Sequence, residues 1–349
     1  MAATIYEVAK KSGVSIGTVS RVLNDSPLTA VATRKRVLQV IDELDYQPHA
    51  MAQGLARRKA SAVGVVLPFS SEHTHMEVLR GIQRGLAYDH LDLILFGVDD
   101  LQQRDAFLWR ALQQRRVDGL LLVSMHVSGA LAVDCKRRRL PLVLVDSNHH
   151  QFDSITVNNQ AGARLAVQHL RHRGYQDFAV LAGPQENLSA QQRVQDCQRA
   201  LQEAGIADSE QTIFTDESRA KDSTEWSSAS PAREGYAAMK EFCAHLLCRD
   251  AARQVPMAVF VTCDAHLPGV IKAVQESELR MPEQIAIAGF NDSELAEHAG
   301  VLVVDQQKKQ IGLQAVKRLL ALMKNPDLPL EHLSLKPRLL VRQNDNEAL

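Results

Sequence analysis

Long apolar runs are missing from this chain of 349 residues. No stretch of about 18 apolar residues is present, which excludes an ordinary transmembrane helix. The first seven residues, Met-Ala-Ala-Thr-Ile-Tyr-Glu, also lack the basic-then-apolar pattern of a secretory signal peptide. We therefore expect no membrane partner and a location in the cytoplasm. The length suits two or three domains rather than one.

Motifs for catalysis and for metal binding are missing as well. The sequence has no GxSxG, no phosphate-binding P-loop and no GxGxxG after a predicted strand. Its five cysteines form no CxxC pair and show no Cys/His ligand spacing, so we expect reduced, buried thiols. These absences argue against an enzyme, and they predict no catalytic residue, no metal site and no cofactor.

The net charge is small but unevenly distributed. The whole chain has a formal net charge of −1. Residues 1–60 hold nine Lys or Arg residues against five Asp or Glu residues, so the remainder of the chain is acidic. A basic head on an acidic body is typical of a small DNA-reading module attached to a domain that does not bind DNA.

Three short helices are predicted in the first 47 residues. Thr4 and Glu7 form a capping box for the first helix, and Gly13 ends it. Ser15 caps a second helix from Ile16 to Leu23. A third helix runs from about Ala32 to Leu44, with Thr29 as its predicted cap. Apolar residues at helical spacing are expected to face inward: Ile5, Val8, Ala9, Val19, Val22, Leu23, Val37, Val40, Ile41 and Leu44.

The segment Ser12–Asn24 carries the strongest functional signal. A helix, a turn containing glycine and a second helix form the geometry that places the second helix in the major groove of DNA. Ile16 and Gly17 are predicted at the exposed start of that helix. Arg21, one turn later, can donate two hydrogen bonds to a guanine. Three hydroxyl side chains suit contacts with phosphates: Ser15, Thr18 and Ser20.

From residue 61 onward, apolar strands alternate with amphipathic helices. Strands are predicted at 63–67, 93–98, 120–123, 142–146, 178–182, 258–263 and 285–290, and helices at 76–88 and 104–114. Continuous apolar strands separated by helices indicate parallel sheets covered on both faces, and the length of the pattern favours two sheet subdomains. The polar stretch from Asp208 to Glu234 breaks this pattern and is expected to be an exposed loop.

The chain resembles the LacI family of bacterial repressors in both parts. In the head, the similarity covers Ile5–Ala9, Gly13–Asn24, Thr33–Val37, Leu44–Pro48 and Leu55. In the body it covers Val157–Gly162, His169–Tyr175, Leu181–Arg193, Thr262–Asp264 and Gly289–Asp292. The resemblance implies an α/β protein with a small all-α helix-turn-helix head. A two-subdomain core with parallel sheets follows, similar to periplasmic binding proteins.

The helix and strand pattern and the family resemblance together give the expected domain boundaries. Residues 1–47 form the DNA-binding head, residues 48–60 a hinge helix or linker, residues 61–340 the effector-binding and dimerisation core, and residues 341–349 a tail. Within the core, the first subdomain is expected to hold about 61–160 plus 292–322. The second is expected to hold about 161–291 plus 323–340.

For the head, the resemblance implies a hinge that folds on DNA and inserts a leucine, here Leu55, into the minor groove. Thr4 and Asn24 complete the residues expected at the DNA. His49 and Gly54 depart from the usual hinge, and Gly54 costs about 1 kcal/mol relative to alanine in a helix. Two heads on two half-sites imply a homodimer on a near-palindromic operator, in the bacterial nucleoid when bound. The segment Leu339–Leu349 has no leucine heptad, which argues against a tetramer.

For the core, the resemblance implies a small-molecule effector, a sugar or a sugar derivative, bound between the subdomains. Its motifs follow predicted strands, where open α/β sheets bind ligands. Arg193 can supply paired donors, and Asp146 and Asn291 can accept or donate. The remaining candidates are Gln306 and Asp264 as further polar groups, Trp226 as a stacking ring, and Thr74, His75 and Cys263. His75 also fits a surface or helix-capping position, and Asp264 also fits a role in holding a turn.

Three departures from the family pattern bear on the effector. Cys263 stands where asparagine is common, and a thiol is a poor hydrogen-bonding group. Asn291 and Asn158 stand where aspartate is usual, which removes negative charge. The effector is therefore expected to be poorer in hydroxyl groups or to carry an acidic group.

Three other functions fit parts of the sequence. The core alone would also fit an α/β enzyme or a sugar-binding transport protein, but the missing catalytic motifs and the DNA-reading head argue against both. A nucleoside or another metabolite that acts as a co-repressor stays open. Effector binding is expected to close the subdomains and to shift the population of folded hinge. The sequence leaves open whether this releases DNA or promotes its binding.

Overall fold

The computed structural model divides into two compact units, residues 1–61 and 62–349. It describes residues 3–23, 26–46, 60–68, 73–98, 104–109, 116–183, 188–206, 211–214, 231–248 and 255–342. Each unit has a hydrophobic core of its own.

Three helices build the N-terminal unit: α1 (Ile5–Ser12), α2 (Ile16–Leu23) and α3 (Val31–Glu43). Its core consists of buried residues from all three helices, namely Val8, Ala9, Val19, Val22, Val37 and Val40. The helical spacing of apolar residues predicted all six. The small all-α head expected from the sequence is therefore confirmed.

The helix ends explain where the chain turns. Thr4 and Glu7 form the predicted capping box, and Gly13 ends α1 with a φ of 66°, in the left-handed region. The amide of Thr18 donates to Oγ of Ser15 at 3.2 Å, so Ser15 caps α2. The predicted cap of α3 is wrong. Ala30 precedes α3 without a side-chain cap, and the buried Oγ1 of Thr29 has no partner among the described residues.

The first sheet of the C-terminal unit is entirely parallel. Its strands are β1 (Ala62–Pro68), β2 (Asp92–Val98), β3 (Gly119–Val123), β4 (Leu142–Val145), β5 (Asp153–Val157) and β11 (His332–Leu335). Their order across the sheet is β2-β1-β3-β4-β5-β11. Every residue of β1, β3 and β4 is buried, as expected for strands covered on both faces.

The second sheet has the same design with one reversed edge strand. Its strands are β6 (Asp177–Leu181), β7 (Gln211–Phe214), β8 (Met257–Val261), β9 (Ile285–Gly289), β10 (Leu302–Asp305) and β12 (Arg338–Leu340). Their order is β7-β6-β8-β9-β10-β12, and only the pairing of β12 with β10 is antiparallel. The prediction of parallel sheets in two subdomains is confirmed.

Helices cover both sheets. They are α4 (His73–Leu86), α5 (Gly129–Arg138), α6 (Asn159–His172), α7 (Leu188–Glu203), α8 (Pro231–Leu247), α9 (Leu267–Gln275), α10 (Glu294–His298) and α11 (Lys308–Lys324). A 3₁₀ turn at Asp264–His266 precedes α9, and residues 104–109 are also helical. Helices α4 and α11 pack on the first sheet, while α6 and α7 cover one face of the second sheet and α8 and α9 the other. None of the helices in the described parts of the chain is long and apolar enough to cross a bilayer.

The sheets divide the last third of the chain differently from the predicted boundaries. Residues 292–322 were expected in the first subdomain, but they include β10, which pairs with β9 of the second sheet. Residues 323–340 were expected in the second subdomain, but they include β11, which pairs with β5 of the first sheet. Backbone pairing with non-adjacent strands decides both placements, and a hydrophobic pattern contains no information about such partners.

The predicted loop from Asp208 to Glu234 is wrong at two places. Residues 211–214 form β7, in register with β6 from Phe178–Gln211 to Leu181–Phe214. Its sequence Gln-Thr-Ile-Phe contains the β-branched and aromatic residues that strands favour. Pro231 begins α8, where its fixed φ suits the first turn of a helix. Residues 207–210 and 215–230 lie outside the described residues.

Candidate functional site

The exposed face of α2 carries residues predicted to contact DNA. Ile16, Gly17 and Arg21 are exposed, whereas Val19 and Val22 face the core of the head. Nε of Arg21 donates to the carbonyl oxygen of Gly17 at 3.2 Å, which holds the side chain along its own helix. This face presents one cationic side chain beside a small and an apolar residue.

The predicted phosphate-contacting hydroxyls have neighbours within the head. Oγ of Ser15 is exposed and lies 3.0 Å from Oγ1 of the half-buried Thr18. Ser20 is half-buried. The amide of Thr4 donates to Oε2 of Glu7 at 2.7 Å within the capping box. Asn24 and Leu55 lie outside the described residues.

A second group of candidates lies at the carboxyl ends of the parallel strands. Asp146 directly follows β4, Gln306 directly follows β10, and Asn291 comes two residues after β9. Thr74 is in the first turn of α4 and Arg193 in the second turn of α7. We call the region lined by the following residues the polar cleft: Thr74, His75, Asp146, Arg193, Asp264, Asn291, Gln306 and Lys308.

Hydrogen bonds across the polar cleft link the two subdomains. Oγ1 of Thr74 donates to Oδ2 of Asp264 at 3.4 Å, and Nδ2 of Asn291 donates to Oγ1 of Thr74 at 3.1 Å. Nδ2 of Asn291 also donates to Oδ2 of Asp264. The buried Oδ1 of Asn291 has no partner among the described residues. Asp264 therefore contacts groups within the cleft rather than only holding its own turn.

Arg193 is buried at the centre of the polar cleft, with an exposed fraction of 5%. Its Nη1 donates to the carbonyl oxygen of Thr262 at 2.7 Å, and its Nη2 donates to Oε1 of Gln306 at 3.4 Å. Its nearest carboxylate oxygen, Oδ2 of Asp264, is 3.9 Å away. The guanidinium carbon lies 5.6 Å from the ring centre of Phe290, a cation–π distance.

Asp146 forms a buried ion pair with Lys308, a residue that the sequence analysis missed. Nζ of Lys308 lies 2.7 Å from Oδ2 of Asp146, and the two side chains are 3% and 9% exposed. Oγ of Ser124 donates to the same oxygen at 3.4 Å. Burial would raise the pKa of Asp146, but Lys308 and Arg193 outweigh it and lower that pKa. The carboxylate is therefore ionised at neutral pH.

His75 is buried among these charges, with an exposed fraction of 6%. Burial, together with the positive charges of Lys308 and Arg193, lowers its pKa to about 4, against the opposite effect of Asp146. The imidazole is therefore neutral at physiological pH. The alternative interpretation of His75 as a surface residue is wrong, because the start of α4 turns it into the polar cleft.

Comparisons with known proteins match both the head and the core. Residues 4–49 match the bacterial regulatory proteins of the lacI family, and residues 60–229 match the periplasmic binding proteins and sugar binding domain of the LacI family. Residues 167–343 match the periplasmic binding protein-like domain. Catabolite control protein A of Priestia megaterium is 30% identical over 99% of this chain and 99% of its own. The chain belongs to the LacI family.

Two further LacI-family proteins are similar over nearly their whole length. The ribose operon repressor of Escherichia coli strain K12 is 29% identical over 97% of this chain and 99% of its own. The lac repressor dimer bound to operator and the anti-inducer ONPF has the same fold, with a TM-score of 0.80 and 24% identity over 97% and 98% of the two chains. This LacI-family chain is a DNA-binding transcriptional repressor whose operator binding is controlled by a small-molecule effector.

Cys263 and Asn158, two further residues that depart from the usual pattern of the LacI family, have local packing and capping contacts. Cys263 is buried, and a Cβ atom on Gly183 would lie 2.8 Å from its own Cβ, so its side chain packs against the end of β6. Asn158 is exposed, and its Oδ1 accepts from the amide of Ala161 at 2.9 Å. It caps α6, and the expected effect of this asparagine on the charge of the effector site stays a prediction. Trp226 lies outside the described residues.

Sequence reasoning missed three residues that lie at or near Arg193 and Asp146: Lys308, Phe290 and Thr262. Lys308 lies two positions after the candidate Gln306, but neither β10 nor α11 was predicted, so nothing in the sequence placed its ammonium group beside Asp146. Phe290 was assigned to a strand and Thr262 to a motif, although both contact Arg193. Lys308 lies three positions after the end of β10, and that strand end is the signal that could have identified it.

Proposed function

We propose that the polar cleft binds the effector and that the effector is a carbohydrate or a carbohydrate derivative. The observation that carries this proposal is the convergence of buried polar side chains from both subdomains at the strand ends. Arg193, Asp264 and Asn291 offer donors and acceptors side by side, which vicinal hydroxyl groups require. The match to the sugar binding domain of the LacI family supports it further.

A nucleoside effector has less support. A nucleobase is commonly bound between aromatic rings, with hydrogen bonds to its edge. Phe290, the ring that contacts Arg193, is fully buried beneath the guanidinium and offers no open face. Trp226, the other aromatic candidate, lies outside the described residues. A test of ligand binding should therefore include nucleosides beside the sugars.

For operator recognition, we propose that α2 enters the major groove and that Arg21 reads a guanine. Arg21 is exposed and anchored by a single hydrogen bond to Gly17, so its terminal nitrogens stay available for a base edge. Ile16 and Gly17 allow close approach at the start of the helix. Thr4, Ser15, Thr18 and Ser20 contact phosphates, while Asn24 and Leu55 keep their sequence-based assignment to the DNA.

We further propose that the chain acts as a homodimer through the β2 edge of the first sheet. Strand β2 lies at the end of that sheet, and Leu93 and Leu95 on its outer face are exposed, Leu95 by 48%. Met76 on α4 is 53% exposed. An open strand edge with apolar side chains is a typical protein–protein contact surface. The lac repressor, which shares this fold, is a dimer in its operator complex.

One experiment with four variants tests the two binding proposals separately. A thermal-shift panel of neutral sugars, sugar acids, sugar phosphates and nucleosides first identifies a ligand that stabilises the full chain. Arg193→Ala should weaken that ligand about 100-fold, because a buried charged donor set is lost. Arg21→Ala should cost about 1–3 kcal/mol of operator affinity and relax the preference at one base pair.

Matched controls remove the same charge nearby. Arg199→Ala alters an exposed residue on α7, the helix of Arg193, and Arg36→Ala alters an exposed residue on α3 of the head. Isothermal titration and a fluorescence anisotropy assay with mutated operators measure the two affinities. Equal ligand affinities of Arg193→Ala and Arg199→Ala would remove Arg193 from the site. Unchanged base preference in Arg21→Ala would exclude Arg21 from the proposed contact with a guanine.

A further inference from the structure

Two buried cations lie in the polar cleft, and among the residues that the structure describes only Lys308 has a carboxylate in hydrogen-bond contact. Lys308 is paired with Asp146 at 2.7 Å. Nη1 of Arg193 lies 3.9 Å from Oδ2 of Asp264, which is beyond hydrogen-bond distance. The side chain of Asp264 is 21% exposed, and its Oδ2 already accepts hydrogen bonds from Asn291 and Thr74. Because a buried charge is costly without a partner, the guanidinium lacks full compensation.

Unused hydrogen-bond donors of Arg193 and Lys308 also indicate that these two cations lack partners. A guanidinium carries five N–H donors and an ammonium carries three. Among the described residues, Arg193 donates two hydrogen bonds and Lys308 donates one. The buried Nε of Arg193 has no acceptor in this part of the chain. Buried donors in folded proteins are rarely left without acceptors, so the cleft suits a group rich in acceptor oxygens.

The two cations also repel each other. Burial lowers the pKa of Lys308 and Arg193 lowers it further, while Asp146 acts in the opposite direction. Lys308 begins α11, whose first turn holds no acidic residue, so the positive end of the helix dipole adds to the same region. A negative group placed between Arg193 and Lys308 would relieve this repulsion and satisfy the open donors.

We propose that the effector carries an anionic group, a phosphate or a carboxylate, and that Arg193 and Lys308 bind that group. This inference rests on the proposed effector site and makes Lys308 its specificity-determining residue. Asp264 and the free Oδ1 of Asn291 then bind hydroxyl groups of the same molecule. The sequence left two alternatives for the effector, fewer hydroxyl groups or an acidic group, and the geometry of the cleft favours the second.

Matched ligands test this inference on the unmodified full chain. The probes are ribose with ribose 5-phosphate, and glucose with glucose 6-phosphate and glucuronate, titrated by calorimetry at constant ionic strength. The two anionic glucose derivatives distinguish a phosphate from a carboxylate. An anionic member of the panel should bind at least about tenfold more tightly than its neutral parent, because a charge-assisted contact is gained. Inorganic phosphate alone should bind more weakly than the sugar phosphate.

Variants then assign the preference to Lys308. Lys308→Gln should bring the affinity ratio of anionic to neutral ligand close to one. Lys309→Gln, which removes the same charge from the exposed neighbouring residue, should keep the ratio. Because Lys308→Gln leaves the Asp146 carboxylate buried without its cation, the double variant D146N/K308Q removes the pair together. Thermal unfolding followed by circular dichroism shows whether each variant is folded.

The outcomes separate this inference from the proposal on which it rests. Tight binding of a neutral sugar that Arg193→Ala abolishes, with no gain for the anionic derivatives, overturns the anionic effector and keeps the carbohydrate site. A preference for anionic ligands that survives in both Lys308 variants overturns the role of Lys308. A panel in which none of these ligands binds overturns both proposals.

Discussion

His75 illustrates how far neighbouring groups can change the chemistry of a single side chain. An ordinary histidine titrates near pH 6.5, but burial and the charges of Lys308 and Arg193 lower the pKa of His75 to about 4. In the unfolded chain, these neighbours and the burial are lost. Between pH 6.5 and pH 4, the unfolded state therefore binds more protons at this position than the folded state.

This difference predicts how stability depends on pH. The free energy of unfolding should fall as the pH drops from 6.5 towards 4, and replacement of His75 by glutamine should remove about 3 kcal/mol of that fall. Urea unfolding of the core at pH 7, 5.5 and 4 measures the change. A constant packing defect in His75→Gln cancels, because only the slope with pH is compared. His245→Gln, an exposed control, should keep the slope of the parent. Equal slopes in all three proteins would contradict the prediction.

The residues of the polar cleft also show what a sequence can predict at this scale. Arg193 and Asn291 were found because they lie in family motifs, and Asp146 because it ends a predicted strand. Lys308 matches no motif, and its importance depends on Asp146, which lies 162 positions earlier in the chain. A partner distant in the sequence therefore decides the role of Lys308, whereas Asn158 caps α6 through the amide of Ala161, three positions away.

At the scale of elements, the sequence predicted seven apolar strands but missed β5, β7, β10, β11 and β12. Strand β5 was missed because it contains Asp153 and Ser154, although both are buried. Arg318 of α11 donates to Oδ1 of Asp153 at 2.5 Å, and Oγ of Ser154 lies 2.8 Å from Nδ1 of His332 in β11. These partners lie more than 160 residues away in the chain, so local hydrophobicity cannot reveal the strand.

Helices α4 and α11, which carry Thr74, His75 and Lys308, approach each other through glycines. A Cβ atom on Gly312 would lie 2.2 Å from the carbonyl oxygen of Val78, and one on Gly81 would lie 2.0 Å from the carbonyl oxygen of Lys309. Backbone atoms on both sides cannot give way without moving a helix. The close contact therefore fixes the start of α11 relative to the start of α4.

Gly312→Ala should force these two helices apart. We expect a loss of about 2 kcal/mol in the stability of the core, because overpacking against backbone atoms displaces whole elements. Ligand affinity should fall as well, since Lys308 lies one helical turn before Gly312. Gly129→Ala is the matched control, because a Cβ atom there meets nothing within 4 Å. Thermal unfolding and calorimetry compare the two variants. A Gly312→Ala protein as stable as Gly129→Ala would show that the helix pair tolerates the methyl group.

At the scale of the whole molecule, the proposed homodimer brings a second head to the operator. A single head offers one arginine on the exposed face of α2, Arg21, for the proposed base contact. A dimer doubles these contacts on two half-sites and makes the spacing between them part of the specificity. In a symmetric dimer, each surface residue is used twice, so one substitution at the contact acts twice.

Leu95→Glu should therefore dissociate the dimer. The substitution places a carboxylate in each copy at the exposed apolar face of β2, so two like charges meet across the proposed contact. We expect a loss of at least about 2 kcal/mol in dimer stability and a monomer at micromolar concentration in sedimentation velocity. Operator affinity should fall in parallel, while ligand binding in the polar cleft of each subunit should persist. Leu330→Glu introduces the same charge at another exposed leucine and should leave the dimer intact. A Leu95→Glu protein that sediments as a dimer would place the contact on another surface, and a parent that sediments as a stable tetramer would contradict the dimer itself.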